Sequence, residues 1–173
     1  MSKTNKINYP EISPKFYIDK ECKWFFKGTE IKRHPMICLF SRYLRLNEVG
    51  QYFITTPYEK ERVIVEDVPF KITSIWTKGE RDEAVIYLQT NVGDELILSS
   101  SKQIRFLNNK INHGIIPYVT VRDNIEAYFT RSCALDLFNL CNYHEINNTS
   151  FFGFWSNKEF FKIESSTITI IEN

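Results

Sequence analysis

T-P-Y-E-K-E-R-V-I-V-E-D-V-P-F, residues 56–70, joins two apolar, β-prone segments and concentrates the unusual chemistry of the chain in one place. Pro57 and Pro69 stiffen its ends, because each fixes φ and lacks an N–H for a sheet ladder. Between them Val63, Ile64 and Val65 read as a buried strand, and the acidic pair Glu66-Asp67 stands where that strand runs out. Residues 52–55 precede the stretch and pair with 62–65 through Pro57-Tyr58-Glu59-Lys60 as an antiparallel hairpin.

Further upstream, Arg33-His34-Pro35 opens a helix, with Pro35 in its first turn. Met36, Ile37, Leu39, Phe40, Tyr43 and Leu44 recur at i, i+3, i+4 and i+7, so this helix is expected to run to about Leu46 with that stripe on its buried face. Residues 23–31 form a hairpin with Gly28 at a turn that asks for positive φ. Residues 16–18 suit a short edge strand.

Downstream, residues 70–78 read as a long strand, a charged turn follows to Glu83, and 84–90 and 95–99 pair around Asn91-Val92-Gly93-Asp94. Residues 103–107 form another strand and 108–114 a turn. Pro117 interrupts the strand at 115–121, which places that strand at an edge or at a bulge. Asp123 is expected to begin a second helix, with Glu126 completing a capping-box variant. Ile125, Tyr128, Phe129, Ser132, Leu135, Leu137 and Leu140 would mark its buried side, ending near Asn142. Residues 147–150 form a loop, and 151–155, 159–164 and 167–171 three more strands. The fold class is α+β, with mostly antiparallel short strands and two main helices. The expected divisions are a flexible arm at 1–15, an N-terminal α+β part at 16–78 and a C-terminal α+β part at 79–173.

Arg33, Phe40 and Arg42 match Arg122, Phe129 and Arg131 at one constant offset, and Lys60-Glu61 and Val65-Glu66 match Lys158-Glu159 and Ile163-Glu164 at a slightly larger one. A duplicated unit of strand, arginine, helix and two strands accounts for this, as does chance similarity between two amphipathic helices.

At 173 residues with 43% hydrophobic and 15% aromatic content, the chain can bury a sizeable core filled by large side chains. Its formal charge of +1 argues against coating a polyphosphate, which requires a basic face. The N-terminus has no apolar signal-like region, and no run approaches a membrane span. Cys22, Cys38, Cys133 and Cys141 lack C-x-x-C spacing and read as reduced thiols of a cytoplasmic protein.

Arg33 and Arg122 each end a strand directly before an expected helix. An arginine there lies beside free N–H groups and the positive end of the dipole, an arrangement that favours an anion. The alternative is a bidentate pair with Glu66 or Asp67 that fixes strand against helix. Two charge-assisted contacts contribute roughly 3–6 kcal/mol, about millimolar to tens of micromolar affinity, so stacking must supply the rest. Glu66-Asp67 with Asp94 or Glu59 could hold a divalent cation, yet the spacing matches no known loop, and carboxylates at a strand end are more often solvated or paired. His34, His113 and His144 lack metal-ligand spacing. Ser99-Ser100-Ser101 and the cysteines lack nucleophile contexts, and no glycine-rich phosphate loop is present. The turn at 90–94 is an ordinary tight turn that can also aim N–H groups at an anion. Trp24, Tyr52, Tyr118 and Trp155 read as core, although Trp24 or Tyr118 could also floor a base.

With these residues laid out, the chain resembles the bacterial family known as domain of unknown function 1285 from Trp24 to about Leu137. The resemblance rests on W-F-F-K-G-T-E-I-K-R (24–33), the helix with L-F (39–40), Y-F-I-T-T-P-Y-E-K (52–60), V-E-D-V-P-F (65–70), T-N-V-G-D (90–94), P-Y-V-T-V-R (117–122) and the helix with Ala127 and Arg131. The chain departs from the pattern in the asparagine-rich loop at 139–149 and the phenylalanine-rich strands after it. The resemblance implies a two-part fold with a repeated α+β motif, a C-terminal part loosely similar to pleckstrin-homology-like domains, and a pocket between the parts for a nucleotide-like ligand with a role in bacterial signalling.

The expectation is therefore a cytoplasmic, non-catalytic regulatory protein that binds an anionic, nucleotide-like ligand through Arg33, Thr56, Glu59, Lys60, Glu66, Asp67, Asn91, Asp94, Tyr118 and Arg122. It is expected to need no cofactor or metal, to contact neither nucleic acid polymer nor membrane, and to have a signalling protein as a second kind of partner. The rivals are a hydrolase or transferase acting on a phosphorylated metabolite with Glu66, Asp67 or Glu59 as base, and a protein-interaction domain using exposed strand edges.

Overall fold

The structure is a computed structural model and describes residues 14–80, 83–108 and 114–163. The expected arm up to residue 13, the middle of the 108–114 turn with His113, and the strand at 167–171 lie outside the described residues. The chain divides into two compact units: the first holds the described residues up to Phe70 with Arg122–Ile125, the second Lys71–Val121 and Glu126 onward. Short strands with two α-helices make the fold α+β.

In the first unit β1 (Phe16–Ile18), β2 (Trp24–Phe26), β3 (Thr29–Glu30), β4 (Leu44–Leu46), β5 (Tyr52–Thr55) and β6 (Lys60–Val65) form one sheet in the order β3-β2-β1-β6-β5-β4. β1 runs parallel to β6, with Phe16 opposite Val63 and Ile18 opposite Val65; the other pairs are antiparallel. The turn inside the opening stretch is closed by the Thr56 N–H, which donates to the Glu59 carbonyl at 2.8 Å, and by Thr56 Oγ1, which accepts the Glu59 N–H at 3.0 Å. The β2–β3 turn has Lys27 at φ 46° and Gly28 at φ 77°, the mirror-image turn that matches strand twist and asks for positive φ at both central residues. Trp24, Leu44, Val63, Val68 and Phe70 are buried at the centre of the unit.

The first helix, α1 (His34–Arg42), is shorter than its periodicity implies. Leu44–Leu46 continues the apolar stripe on a helical wheel, yet it forms β4, with Leu44 opposite Ile54 and Leu46 opposite Tyr52. Asn47 makes the reversal: its Oδ1 accepts the N–H groups of Val49 and Gln51 at 3.2 and 2.7 Å. Pairing along β5 thus overrides a short helical pattern. The expected buried face is also incomplete. Ser41 is the one fully buried residue of α1, whereas Met36, Leu39 and Tyr43 remain 39%, 50% and 38% exposed.

The second sheet has the order β10-β11-β12-β7-β8-β9, from β7 (Phe70–Lys78), β8 (Val85–Thr90), β9 (Glu95–Ile97), β10 (Ile104–Asn108), β11 (Ile115–Arg122) and β12 (Ile125–Phe129). Asp123 does not begin a helix. Asp123 and Asn124 stand at φ 45° and 61°, the two central residues of a tight β11–β12 hairpin. Asp and Asn are among the residues that tolerate this conformation, so the apparent capping box is turn chemistry. β11 is an inner strand, contrary to the edge or bulge expected of Pro117. Pro117 faces Phe106 of β10, and counting back from the turn sets it beside Thr130, past the end of β12, so its missing N–H costs no ladder bond there.

The second helix, α2 (Arg131–Asn139), starts eight positions later than expected. Phe129 therefore belongs to β12 and Leu135 faces solvent, while Cys133, Ala134 and Leu137 are buried. The helix is followed by β13 (Asn142–Ile146), β14 (Thr149–Ser156) and β15 (Glu159–Lys162), a three-stranded sheet in which the expected strands at 151–155 and 159–164 are joined by an unexpected β13, and the expected loop at 147–150 shrinks to a two-residue turn. Asn147-Asn148 and Asn157-Lys158, all at positive φ, turn its two hairpins. Ser156 fixes this sheet within the second unit: its buried Oγ accepts the Ile86 N–H at 3.0 Å and donates to the Leu98 carbonyl at 2.5 Å. The matched residues of the proposed duplication do not fall at equivalent places, since Phe40 and Arg42 lie inside α1 whereas Phe129 ends a strand and Arg131 begins α2.

Candidate functional site

Among the described residues, α1 leaves a groove beside the first sheet. Its larger compartment, about 530 Å³, has an apolar floor of Phe16, Phe26, Phe40 and Met36. Phe16 packs on Phe26 at 4.9 Å between ring centroids and edge-on against Phe40 at 5.1 Å, so the floor is a contiguous aromatic surface. The rim carries Lys32 and Arg33 beside Lys15, Glu30, Glu59 and Glu61. A smaller compartment of about 210 Å³ shares Phe16, Phe40, Glu59 and Glu61 with the first and adds Leu39, Tyr43, Ile54 and Thr56. The larger volume lies in the range of small-molecule sites.

Charge on the rim is asymmetric. Lys15 forms an ion pair with Glu61, and this hydrogen bond and charge raise the Lys15 ammonium above its ordinary range. Among the described residues neither Lys32 nor Arg33 has an ion-pair partner. Both lie at the N-terminus of α1, where Arg33 is the cap residue and makes no side-chain capping bond, and no acidic residue occupies the first turn. Pro35 has no N–H, and those of Met36 and Ile37 both point to the Arg33 carbonyl at 2.9 and 3.4 Å. The backbone is thus largely used up, and an anion here is held by side chains and the helix field rather than by a ring of N–H groups.

Of the expected site residues, Arg33, Thr56 and Glu59 line this groove. The Thr56 hydroxyl is occupied by the turn, accepting from the backbone of Tyr58 and Glu59. Lys60 lies over the Phe53 ring at 4.3 Å. Glu66 and Asp67 follow β6 at the end opposite Glu59, about 20 Å away along an extended strand. Glu66 accepts the Tyr17 hydroxyl and, at 2.9 Å, the Lys20 N–H. These bonds hold its carboxyl below the usual range, the reverse of what a general base requires. Among the described residues no cluster of three or more His, Cys, Asp or Glu side chains could hold a metal.

Arg122 does not join Arg33. Its Nη2 donates to the Ser41 carbonyl at 2.7 Å and its guanidinium lies 4.9 Å from the Phe70 ring centroid. Ser41 lies near the C-terminus of α1, about 12 Å along the axis from Arg33. One arginine thus sits at the positive end of the helix and the other satisfies a carbonyl at the negative end. Their expected convergence on one hollow is therefore corrected, as is the placing of Arg122 before a helix N-terminus. The other three expected residues belong to the second unit. Asn91 Oδ1 accepts the Lys71 N–H at 3.0 Å, the Asp94 N–H donates to the Thr90 hydroxyl at 3.0 Å, and Tyr118 is buried under Arg105 at 4.3 Å. Arg105 is in turn bidentate to Glu126 at 2.7 Å per bond, a pattern that supports the sheet.

Trp24 is fully buried, and its Nε1 has no partner among the described residues, so it is core rather than a floor for a base. Sequence reasoning missed Phe16, Phe26, Lys15 and Lys32. Lys32 and Arg33 ahead of a helix with neither an N-cap hydroxyl nor a first-turn acid was the available signal. The floor depends on the parallel β1–β6 pairing, which no local pattern announces.

Fold and groove together define a two-unit α+β protein whose first unit carries an apolar groove rimmed by both cations and carboxylates. The chain belongs to the DUF1285 family: the N-terminal domain of that family, a domain of unknown function, matches residues 10–68, and the C-terminal domain matches residues 69–163. A crystal structure of a DUF1285 family protein from Silicibacter pomeroyi DSS-3 is 31% identical, with a TM-score of 0.79, covering 92% of this chain and 84% of that one. A second, from Shewanella baltica OS155, is 24% identical, with a TM-score of 0.60 over 73% of this chain and 91% of that one, and shows the likeness of fold. No curated protein matches the chain. No helix among the described residues is long and apolar enough to cross a membrane.

Proposed function

We propose that the chain is a non-catalytic regulatory protein whose first unit binds a small nucleotide-like anion in the groove beside α1. The reading is supported chiefly by Lys32 and Arg33, which have no ion-pair partner among the described residues, at the rim of a phenylalanine-floored compartment of about 530 Å³. A flat ring stacks on Phe16, Phe26 and Phe40, and a single phosphate or carboxylate meets the guanidinium and the helix field. Glu30, Glu59 and Glu61 balance the three rim cations, so a single phosphate suits the site better than a triphosphate. In this reading the protein acts in the cytoplasm, as part of a bacterial signalling route, with the pleckstrin-homology-like character of the C-terminal part serving a protein partner.

The test is a thermal-shift screen against nucleoside monophosphates, cyclic dinucleotides and sugar phosphates, repeated with Arg33→Ala. Stabilisation by a nucleoside monophosphate, weakened roughly tenfold to a hundredfold in apparent affinity by the substitution, is expected. Equal shifts in both proteins would overturn the reading.

A further inference from the structure

Resting on that reading only for the anion held at Lys32 and Arg33, and departing from it in the apolar part, we infer that the groove accepts an amphiphile in place of a flat-ringed ligand: a monoanionic head at Arg33 and Lys32 carrying an unbranched apolar chain that runs on into the second compartment. Three observations carry this. First, the two compartments share Phe16, Phe40, Glu59 and Glu61, so they are adjoining parts of one groove rather than separate dimples. Second, the walls change character along α1. The cations stand at its N-terminus, whereas the far compartment offers Leu39, Tyr43 and Ile54 and no cation. Third, Met36, Leu39 and Tyr43 follow one another at helical spacing on the stripe that periodicity assigns to the core, yet all three remain exposed. An apolar stripe of this kind, bordering a groove with cations at one end only, is complementary to a molecule with charge at one end only.

The dimensions agree. From Arg33 to Tyr43 the helical rise is about 15 Å. The far compartment, about 210 Å³, is large enough for the end of a short alkyl chain. Glu59 and Glu61 at the junction set the selectivity. Lys15 neutralises Glu61, but a second anionic group on the ligand would meet Glu59. An uncharged chain passes them with no such penalty.

Isothermal titration with butyrate, hexanoate and octanoate, below their micelle concentrations, tests this, with octanol as the headless control. Each added methylene is expected to tighten binding about fourfold where it is buried, so octanoate, with four more, binds roughly 250-fold tighter than butyrate. Leu39→Glu, at an exposed position whose change the fold tolerates, is expected to flatten that dependence on length; circular dichroism checks the fold. Arg33→Ala is expected to weaken every acid and leave the slope. Binding that is independent of chain length, a slope unchanged in Leu39→Glu, or octanol binding as well as octanoate would each overturn the inference. If adenosine monophosphate binds and the acids show no length dependence, the inference falls and the nucleotide reading stands; if neither class binds, both fall.

Discussion

Arg33 is a poor residue for the place it holds. A helix N-terminus favours Ser, Thr, Asp or Asn at the cap and acid in the first turn, and α1 has Lys32, Arg33 and His34 in succession with no capping bond. A local choice that opposes helix stability at the mouth of a groove is the mark expected of a binding residue. Arg33→Ser should therefore stabilise the ligand-free protein, by about 0.5–1 kcal/mol in urea melts, while weakening anion binding. A loss of stability would mean that the guanidinium is structural. Glu66 shows the opposite case, a carboxylate serving the fold. Its pKa is lowered first by the Tyr17 hydroxyl and then by the Lys20 N–H. A carboxyl whose folded value is depressed contributes stability that is present above the unfolded value and lost as pH falls through the folded one. The stability gap between the protein and Glu66→Gln should accordingly be full at pH 7, shrink below the ordinary value of 4.5, and vanish at lower pH. A gap independent of pH in denaturant titrations would contradict this.

Hairpins set the limits of what could be read at the level of elements. The strands at 52–55, 62–65 and 70–78 and the turn at Gly28 were legible, because alternation, Pro and Gly announce them. The hairpins turned by Asp123-Asn124 and Asn147-Asn148 were not, since Asp before a glutamate imitates a helix cap and Asn-Asn imitates a loop. What decides them is positive φ at both central residues, a property of pairing rather than of local propensity. The end of α1 was misread for a related reason: Leu44 satisfies a helical wheel and a strand equally until β5 offers it Ile54 as a partner. Two substitutions in the β14–β15 hairpin should act in opposite directions. Lys158 stands at φ 65°, so Lys158→Gly should stabilise by about 1 kcal/mol. A Cβ on Gly153 would lie 2.1 Å from the Phe161 carbonyl oxygen, so Gly153→Ala should destabilise by about 1–3 kcal/mol or more. Thermal melts of the pair read both, and two changes of the same sign would show that the three-stranded sheet is misassigned.

Across the whole molecule, composition announced a large aromatic core and near-neutral charge, and the family motifs announced a two-part chain. The groove was only half legible. Its cationic end lies in consecutive residues, Lys32-Arg33, whereas its floor takes Phe16, Phe26 and Phe40 from three elements joined by a parallel strand pair. The pairing of Arg33 with Arg122 came from a constant spacing in sequence that the fold does not turn into equivalent places. Thiol chemistry offers an independent check on the packing. Cys22, Cys133 and Cys141 are buried, burial pushes the Cys141 thiol up to about 12, and Cys38 on α1 is half-exposed. One of the four thiols should react rapidly with Ellman's reagent at pH 8 and all four after unfolding; two or more fast thiols would contradict the described cores. The most direct test of the central claim is calorimetric titration of nucleoside monophosphates into the native protein, Arg33→Ala and Arg122→Ala. Affinity at least tenfold weaker in Arg33→Ala and unchanged in Arg122→Ala, which loses stability instead, is the predicted result. Native affinity in Arg33→Ala, or its loss in a folded Arg122→Ala, would contradict the account.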